Sequence, residues 1–123
     1  MSELTGLRAE LTFDVTDADT AAALGSGTVA VLGTPRLLAW LEAATVAAVA
    51  QRLDAGETSV GTRVDLQHRR PSAVGSTVTC AAEVTAHDRR KLEFRATAHS
   101  ADGTLLAEGT LARAIVDEAG FGG

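Results

Sequence analysis

Gly33-Thr34-Pro35-Arg36-Leu37-Leu38-Ala39-Trp40-Leu41-Glu42-Ala43-Ala44-Thr45-Val46-Ala47-Ala48-Val49-Ala50 is the stretch around which the rest of the chain must fold. From Leu37 to Ala50 only Glu42 and Thr45 are not hydrophobic, and Glu42 carries the one charge. Thr34 reads as an N-cap, and Pro35 as the first helical residue, where its missing N–H costs nothing. The spacing predicts a helix of about five turns, ended by Gly56 after Asp54-Ala55. A helix apolar almost all round is buried on several sides, in a core or in a membrane. A membrane span needs ~18–20 apolar residues and no carboxylate in its middle. The expectation is therefore a buried central helix holding one acid. Without a partner in a dry site, that acid would go neutral. Either Glu42 turns to a wet groove or a structural Arg, or it lines a cleft as a general base or nucleophile.

The chain has 123 residues and is expected to form one domain, 1–123, with its core at about 9–117. Its single cysteine, Cys80, excludes an internal disulfide framework and a Cys-rich metal site, and fits a reducing compartment. Met1-Ser2-Glu3-Leu4 has neither a basic nor an apolar leader segment, so a cytoplasmic protein off the membrane is expected. A net charge of −5 argues against nucleic acid as the partner. The aromatic residues Trp40, Phe13, Phe94 and Phe121 are too few for a base-stacking platform.

Outside the helix the period is two. Leu11, Phe13 and Val15 alternate with Thr12, Asp14 and Thr16 in a first strand, and residues 1–7 read as a loose lead-in. Thr16 to Gly27 reads as a loop with a helical turn. After Gly56, Val60, Thr62, Val64, Leu66 and His68 share one face of a strand that Pro71-Ser72 stops. Val78, Cys80, Ala82, Val84 and Ala86 mark the next strand, and Leu92, Phe94, Ala96 and Ala98 another. Asp102-Gly103 signals a two-residue hairpin into a last strand over about 104–116. The order is strand, helix, then four strands joined by short hairpins. One α+β layer pair, an antiparallel sheet wrapped round one helix, is the natural packing. A single sheet leaves part of that helix uncovered, and a homodimer or larger homo-oligomer is expected to bury it.

Parity also sorts the polar residues. His87 and His99 fall on polar faces and are expected to be solvated, whereas His68 shares the face of Val64 and Leu66. A lone inward His is usually a satisfied core residue, but the nearby acid raises the case for a site. Arg113 shares parity with Leu111 and Ile115, as a counter-ion or a site residue. Cys80, among Ala and Val, is expected to be an inert thiol. Arg69-Arg70 and Arg89-Arg90-Lys91 sit at strand ends, solvated or holding a phosphate. No nucleophile elbow, P-loop, dinucleotide fingerprint or His-Glu-x-x-His is present, and no metal site or bound cofactor is expected.

Gly33-Thr34, Trp40-Leu41-Glu42-Ala43, Val60-Gly61-Thr62, His68 and Gly109-Thr110 through Arg113-Ala114-Ile115 together resemble the hotdog-fold thioesterases, closest to the fluoroacetyl-CoA thioesterase-like branch. The resemblance runs from about Phe13 to Val116 and implies a hotdog fold that hydrolyses small acyl-CoA thioesters at a dimer-interface site. It implies Thr34, Glu42 and His68 as catalytic residues, and Gly61, Thr62 and Arg113 as substrate-binding ones. Fluoroacetyl-selective members close the acyl pocket with phenylalanines from the region before the helix. Asp17 to Gly27 has no aromatic residue, so ordinary short acyl groups are expected instead. Coenzyme A enters only as part of the substrate. Eight residues of helix put Thr34 about 12 Å from Glu42, so Thr34 either meets the partner's acid or serves as a cap. A non-catalytic acyl-CoA-binding protein and a hotdog hydratase or dehydratase remain as alternatives.

Overall fold

Alternation along the strands builds the inner face of one sheet. The computed structural model describes residues 3–121. Strand β1 (Arg8–Asp14) leads through a 3-10 turn (Asp17–Asp19) and a short helix α1 (Ala21–Leu24) to helix α2 (Thr34–Val49). Four strands follow: β2 (Glu57–His68), β3 (Thr77–Asp88), β4 (Lys91–Ser100) and β5 (Leu105–Asp117). All pair antiparallel in the order β1-β3-β4-β5-β2. Only β3, β4 and β5 form the expected meander. The chain crosses from β2, on one edge, to β3 on the far side of β4 and β5, so the β2–β3 link is a crossover and not a hairpin.

Helix α2 lies against the inner faces of β1 and β3, burying Leu37, Trp40, Leu41, Ala44 and Val49 against Val78, Cys80, Val84 and Phe94. Phe13 of β1 stacks on Trp40 with ring centroids 4.6 Å apart. Cys80 is fully buried, and burial pushes its thiol up to about 12, which keeps it protonated and inert. The helix has 16 residues and ends at Val49, so Gly56 belongs to the turn before β2 and does not end it. Its N-cap is Gly33, one residue earlier than expected. A Cβ on Gly33 would come within 3.0 Å of Ala21 Cα and Leu24 Cδ1, so α1 can pack on the helix start only because that residue is glycine.

Three further departures have local causes. The β4–β5 connection has four residues, 101–104, and Ser100 N–H donates across it to Thr104 O at 2.9 Å, so Asp102-Gly103 is not a two-residue hairpin loop. The described part of the lead-in, residues 3–7, is tied down: Leu4 is buried, and Gly6 N–H donates to Val84 O at 2.8 Å, while residues 1–2 lie outside the described residues. His87 is not solvated. A register shift between Val84 and Ala86 turns it inward, and its side chain is 5% exposed. Leu4 N–H donates to its Nδ1 at 3.2 Å, which leaves Nε2–H to donate to Arg89 O at 2.8 Å. His99, beside another register shift, is half-buried. His87→Ala is accordingly expected to cost about 1 kcal/mol, through a lost hydrogen bond to a half-buried N–H. Thermal melts, with faster exchange of the Leu4 amide, would check it.

Candidate active site

The backbone gathers the polar inward residues into two clusters. The first is built on β2 and β5. Gly61 pairs with Arg113, and the register then shifts so that Arg63 faces Ala112, leaving Thr62 as the extra residue of a bulge. Before the bulge the odd residues face inward, and after it the even ones do. Ser59 and Gly61 therefore point to the helix, against the simple alternation that groups Val60 with Val64. The isolated glycine within a strand pattern was the available signal for this bulge.

Arg113 is buried beneath Glu42. Its Nε donates to Ser59 Oγ at 2.8 Å, its Nη2 to the Ser59 carbonyl at 2.9 Å, and its Nη1 to Glu42 Oε2 at 3.3 Å. Burial holds the guanidinium pKa below its usual value, and the Glu42 carboxylate offsets only part of that lowering. Glu42 is thus neither unpaired nor fully buried: its side chain is 37% exposed at the mouth of a groove, with one oxygen on a fixed cation. Ser59, which anchors Arg113, was invisible to simple parity. A Cβ on Gly61 would stand 2.7 Å from Glu42 Oε2. Gly61→Ala is therefore expected to displace the carboxylate and break its Arg113 contact, with a turnover loss of about 10²-fold and a near-normal melting temperature. Thr62, the extra residue of the bulge, lines a depression with Glu93, Ala112, Arg113 and Ala114.

The second cluster joins the start of α2 to the end of β2. Thr34 Oγ1 and His68 Nδ1 share a hydrogen bond of 2.8 Å. Gly33 occupies the cap position, so the Thr34 hydroxyl is committed to His68 and caps nothing. His68 is half-buried, and desolvation holds its pKa below the ordinary imidazole value, which favours the neutral ring. Its Nε2 is buried without a hydrogen-bond partner among the described residues. This pair opens on a cleft of about 370 Å³, bordered by Ala21, Gly27-Thr28-Val29, Arg70 and Pro71.

The two clusters lie about two helical turns apart on a face along which α2 and β2 leave Val46 and Val64 exposed. Leu38, Glu42 and Val46 run along the helix at spacings of four, and Val46 and Val64 are each 44% exposed. Within one protomer the clusters hold an acid–arginine pair and a threonine–histidine pair, separated by about 12 Å of helix.

The family described as fluoroacetyl-CoA-specific thioesterase (FlK) matches residues 15–119. A fluoroacetyl-CoA thioesterase from Streptantibioticus cattleyicolor is 36% identical over 87 residues, 70% of this chain. The matched stretch spans 61% of that relative's length. The solved structure of the fluoroacetyl-CoA thioesterase FlK superposes with a TM-score of 0.89 at 29% identity, covering 95% of this chain and 90% of that one. A single-site mutant of FlK in complex with fluoroacetate and CoA superposes at 0.88 and 29% identity, covering 95% and 98%. The five-stranded antiparallel sheet around one main helix is the hotdog fold of these thioesterases. The chain belongs to the fluoroacetyl-CoA-specific thioesterase family.

Proposed function

We propose that this protein is an acyl-CoA thioesterase whose site is completed between two protomers of a homodimer. One observation carries the reading: two complementary half-sites, Thr34–His68 and Glu42–Arg113, stand about two helical turns apart within one protomer. β2 is a long edge strand, and its unpaired side invites antiparallel pairing with a second copy. A two-fold axis passing between Val64 and Asp65 sets His68 opposite the partner's Gly61. On the helices, an axis at Leu38 sets Thr34 opposite the partner's Glu42. The same symmetry serves both elements, as an isologous dimer requires. It also covers Val46 and Val64 and supplies the missing neighbour for His68 Nε2.

In that site Glu42 acts as general base on water, or attacks the thioester carbonyl directly to give a transient anhydride that water then opens. The acyl carbon–sulfur bond breaks, a carbon–oxygen bond forms, and the thiolate leaves and takes up the proton. Arg113 holds one oxygen of the Glu42 carboxylate and aims it. Backbone N–H groups near Gly61 stabilise the oxyanion. His68, oriented by Thr34, positions the acyl group or relays the proton. Gly61 lies against the reacting end of the substrate, and Thr62 contributes through the backbone of its bulge. The lack of any aromatic residue from Asp17 to Gly27 favours an ordinary short acyl group over a fluoroacetyl-selective pocket. No bound cofactor is needed, because coenzyme A arrives with the substrate. We place the reaction in the cytoplasm, consistent with the free thiol of Cys80. No helix among the described residues is long and apolar enough to cross a membrane.

A panel of short acyl-CoAs assayed by thiol release is expected to show turnover, and light scattering a dimer. A well-folded monomer at micromolar concentration, or no thiol release from any member, would contradict the reading.

A further inference from the structure

The cleft beside Thr34 and His68 differs in charge from the rest of the molecule. The chain carries a net charge of −5, yet the residues bordering this cleft include two arginines and no carboxylate. The larger depression at the other end of the fold, about 550 Å³, has Arg52, Arg89 and Arg90 but balances them with Asp54 and Glu57. Arg90 is paired to Glu57 there at 3.3 Å.

In the Thr34–His68 cleft the two arginines are not equivalent. Arg69 is committed, its Nε 2.9 Å from Glu108, which also binds Arg95 at 3.1 Å. Arg70 is exposed on the cleft wall, and no carboxylate among the described residues pairs with it. Its backbone is fixed, because Arg70 N–H donates to Leu106 O at 3.1 Å and Ser72 O accepts from Leu32 N–H at 2.8 Å. The remaining wall is small or apolar, with Ala21, Val29, Val31 and Leu32, and Ser26 and Thr28 add hydroxyls.

Distance decides which anion this cation meets. Arg70 lies two residues past His68, in the bend that ends β2, so their Cα atoms stand at most about 7 Å apart. The phosphates of coenzyme A hang from the far end of the pantetheine arm, well beyond that reach when the thioester lies at His68. A carboxylate at the end of a short acyl chain falls within it. We infer that Arg70 is a specificity-determining residue, and that the preferred substrates are short acyl-CoAs whose acyl group ends in a second carboxylate, of the malonyl or succinyl kind. Arg70 makes and breaks no bond in the reaction. It holds the distal carboxylate by a charge-assisted hydrogen bond while the thioester is hydrolysed at the other end. This rests on the thioesterase reading above and names its substrate class.

The test compares succinyl-CoA with propionyl-CoA, and acetyl-CoA with acetyl-pantetheine, in the wild type and in Arg70→Ala and Arg70→Lys. The expected result is a kcat/KM for succinyl-CoA above that for propionyl-CoA, with the ratio falling at least about tenfold in Arg70→Ala and partly restored in Arg70→Lys. A wild type that hydrolyses propionyl-CoA as well as succinyl-CoA would overturn the inference while leaving the thioesterase reading intact. So would an Arg70→Ala loss that is equal for all CoA esters and absent for acetyl-pantetheine, the mark of a phosphate contact. If no ester is hydrolysed, calorimetric binding of the same esters still decides. Tighter succinyl-CoA binding that Arg70→Ala abolishes supports the inference, and equal affinities overturn it.

Discussion

Glu42→Gln is expected to fold, dimerise and lose at least ~10²-fold in acyl-CoA hydrolysis, the usual scale for an acid–base group. The isostere keeps the shape of the side chain but can neither take a proton from water nor attack a carbonyl. Stability should change little, because Glu42 is 37% exposed and its pairing with Arg113 is correspondingly screened. Arg113 retains both bonds to Ser59, so the buried guanidinium is not stranded. A loss of up to about 1 kcal/mol is the expectation, read from the melting temperature of the preparation used for kinetics. If Glu42 served only as a counter-ion for Arg113, the same variant would keep wild-type thiol release. The two roles therefore separate on one sample.

His68→Ala is expected to lose a similar ~10²-fold in rate, with the Thr34 hydroxyl freed. Its pH behaviour adds a second signature. Burial holds the His68 pKa below its unfolded value, so the folded protein binds fewer protons here than the unfolded chain. His68 therefore subtracts nothing from stability above about pH 6.5, and progressively destabilises the fold as pH falls through that value towards its lower folded pKa. In His68→Ala this part of the acid destabilisation should disappear. The wild-type kcat/KM should likewise keep its neutral-His form down to below pH 6.5, where protonation begins. Melts and kinetics between pH 5 and 8 check both.

The fold was legible where a residue's face depends on simple alternation. Val78, Cys80, Ala82 and Val84 on β3, and Leu92, Phe94, Ala96 and Ala98 on β4, are buried as their spacing demands. It was less legible where the ladder slips. The bulge at Thr62 turns Ser59 and Gly61 inward, and the shift near Ala86 buries His87, because one extra residue inverts every face beyond it. Strand order was beyond sequence spacing too, since nothing local distinguishes a crossover after Pro71 from a hairpin. At the candidate site, the inward placements of His68 and Arg113 followed from parity, and Glu42 stood out as the only charge in an apolar run. That Arg113 would lie under Glu42, and that Thr34 would bond His68, required the register of β2 against both β5 and the helix start.

Each site is expected to draw Thr34 and His68 from one protomer and Glu42 from the other, and subunit complementation tests this most directly. Glu42→Gln and His68→Ala homodimers, each nearly inactive, are mixed under conditions that exchange subunits. In a mixed dimer one site receives an intact His68 from the first variant and an intact Glu42 from the second, while the other site lacks both. Random exchange makes half the dimers mixed, so recovery of about a quarter of wild-type thiol release is expected for an isologous pair. No recovery from fully exchanged subunits would contradict a site shared across the interface.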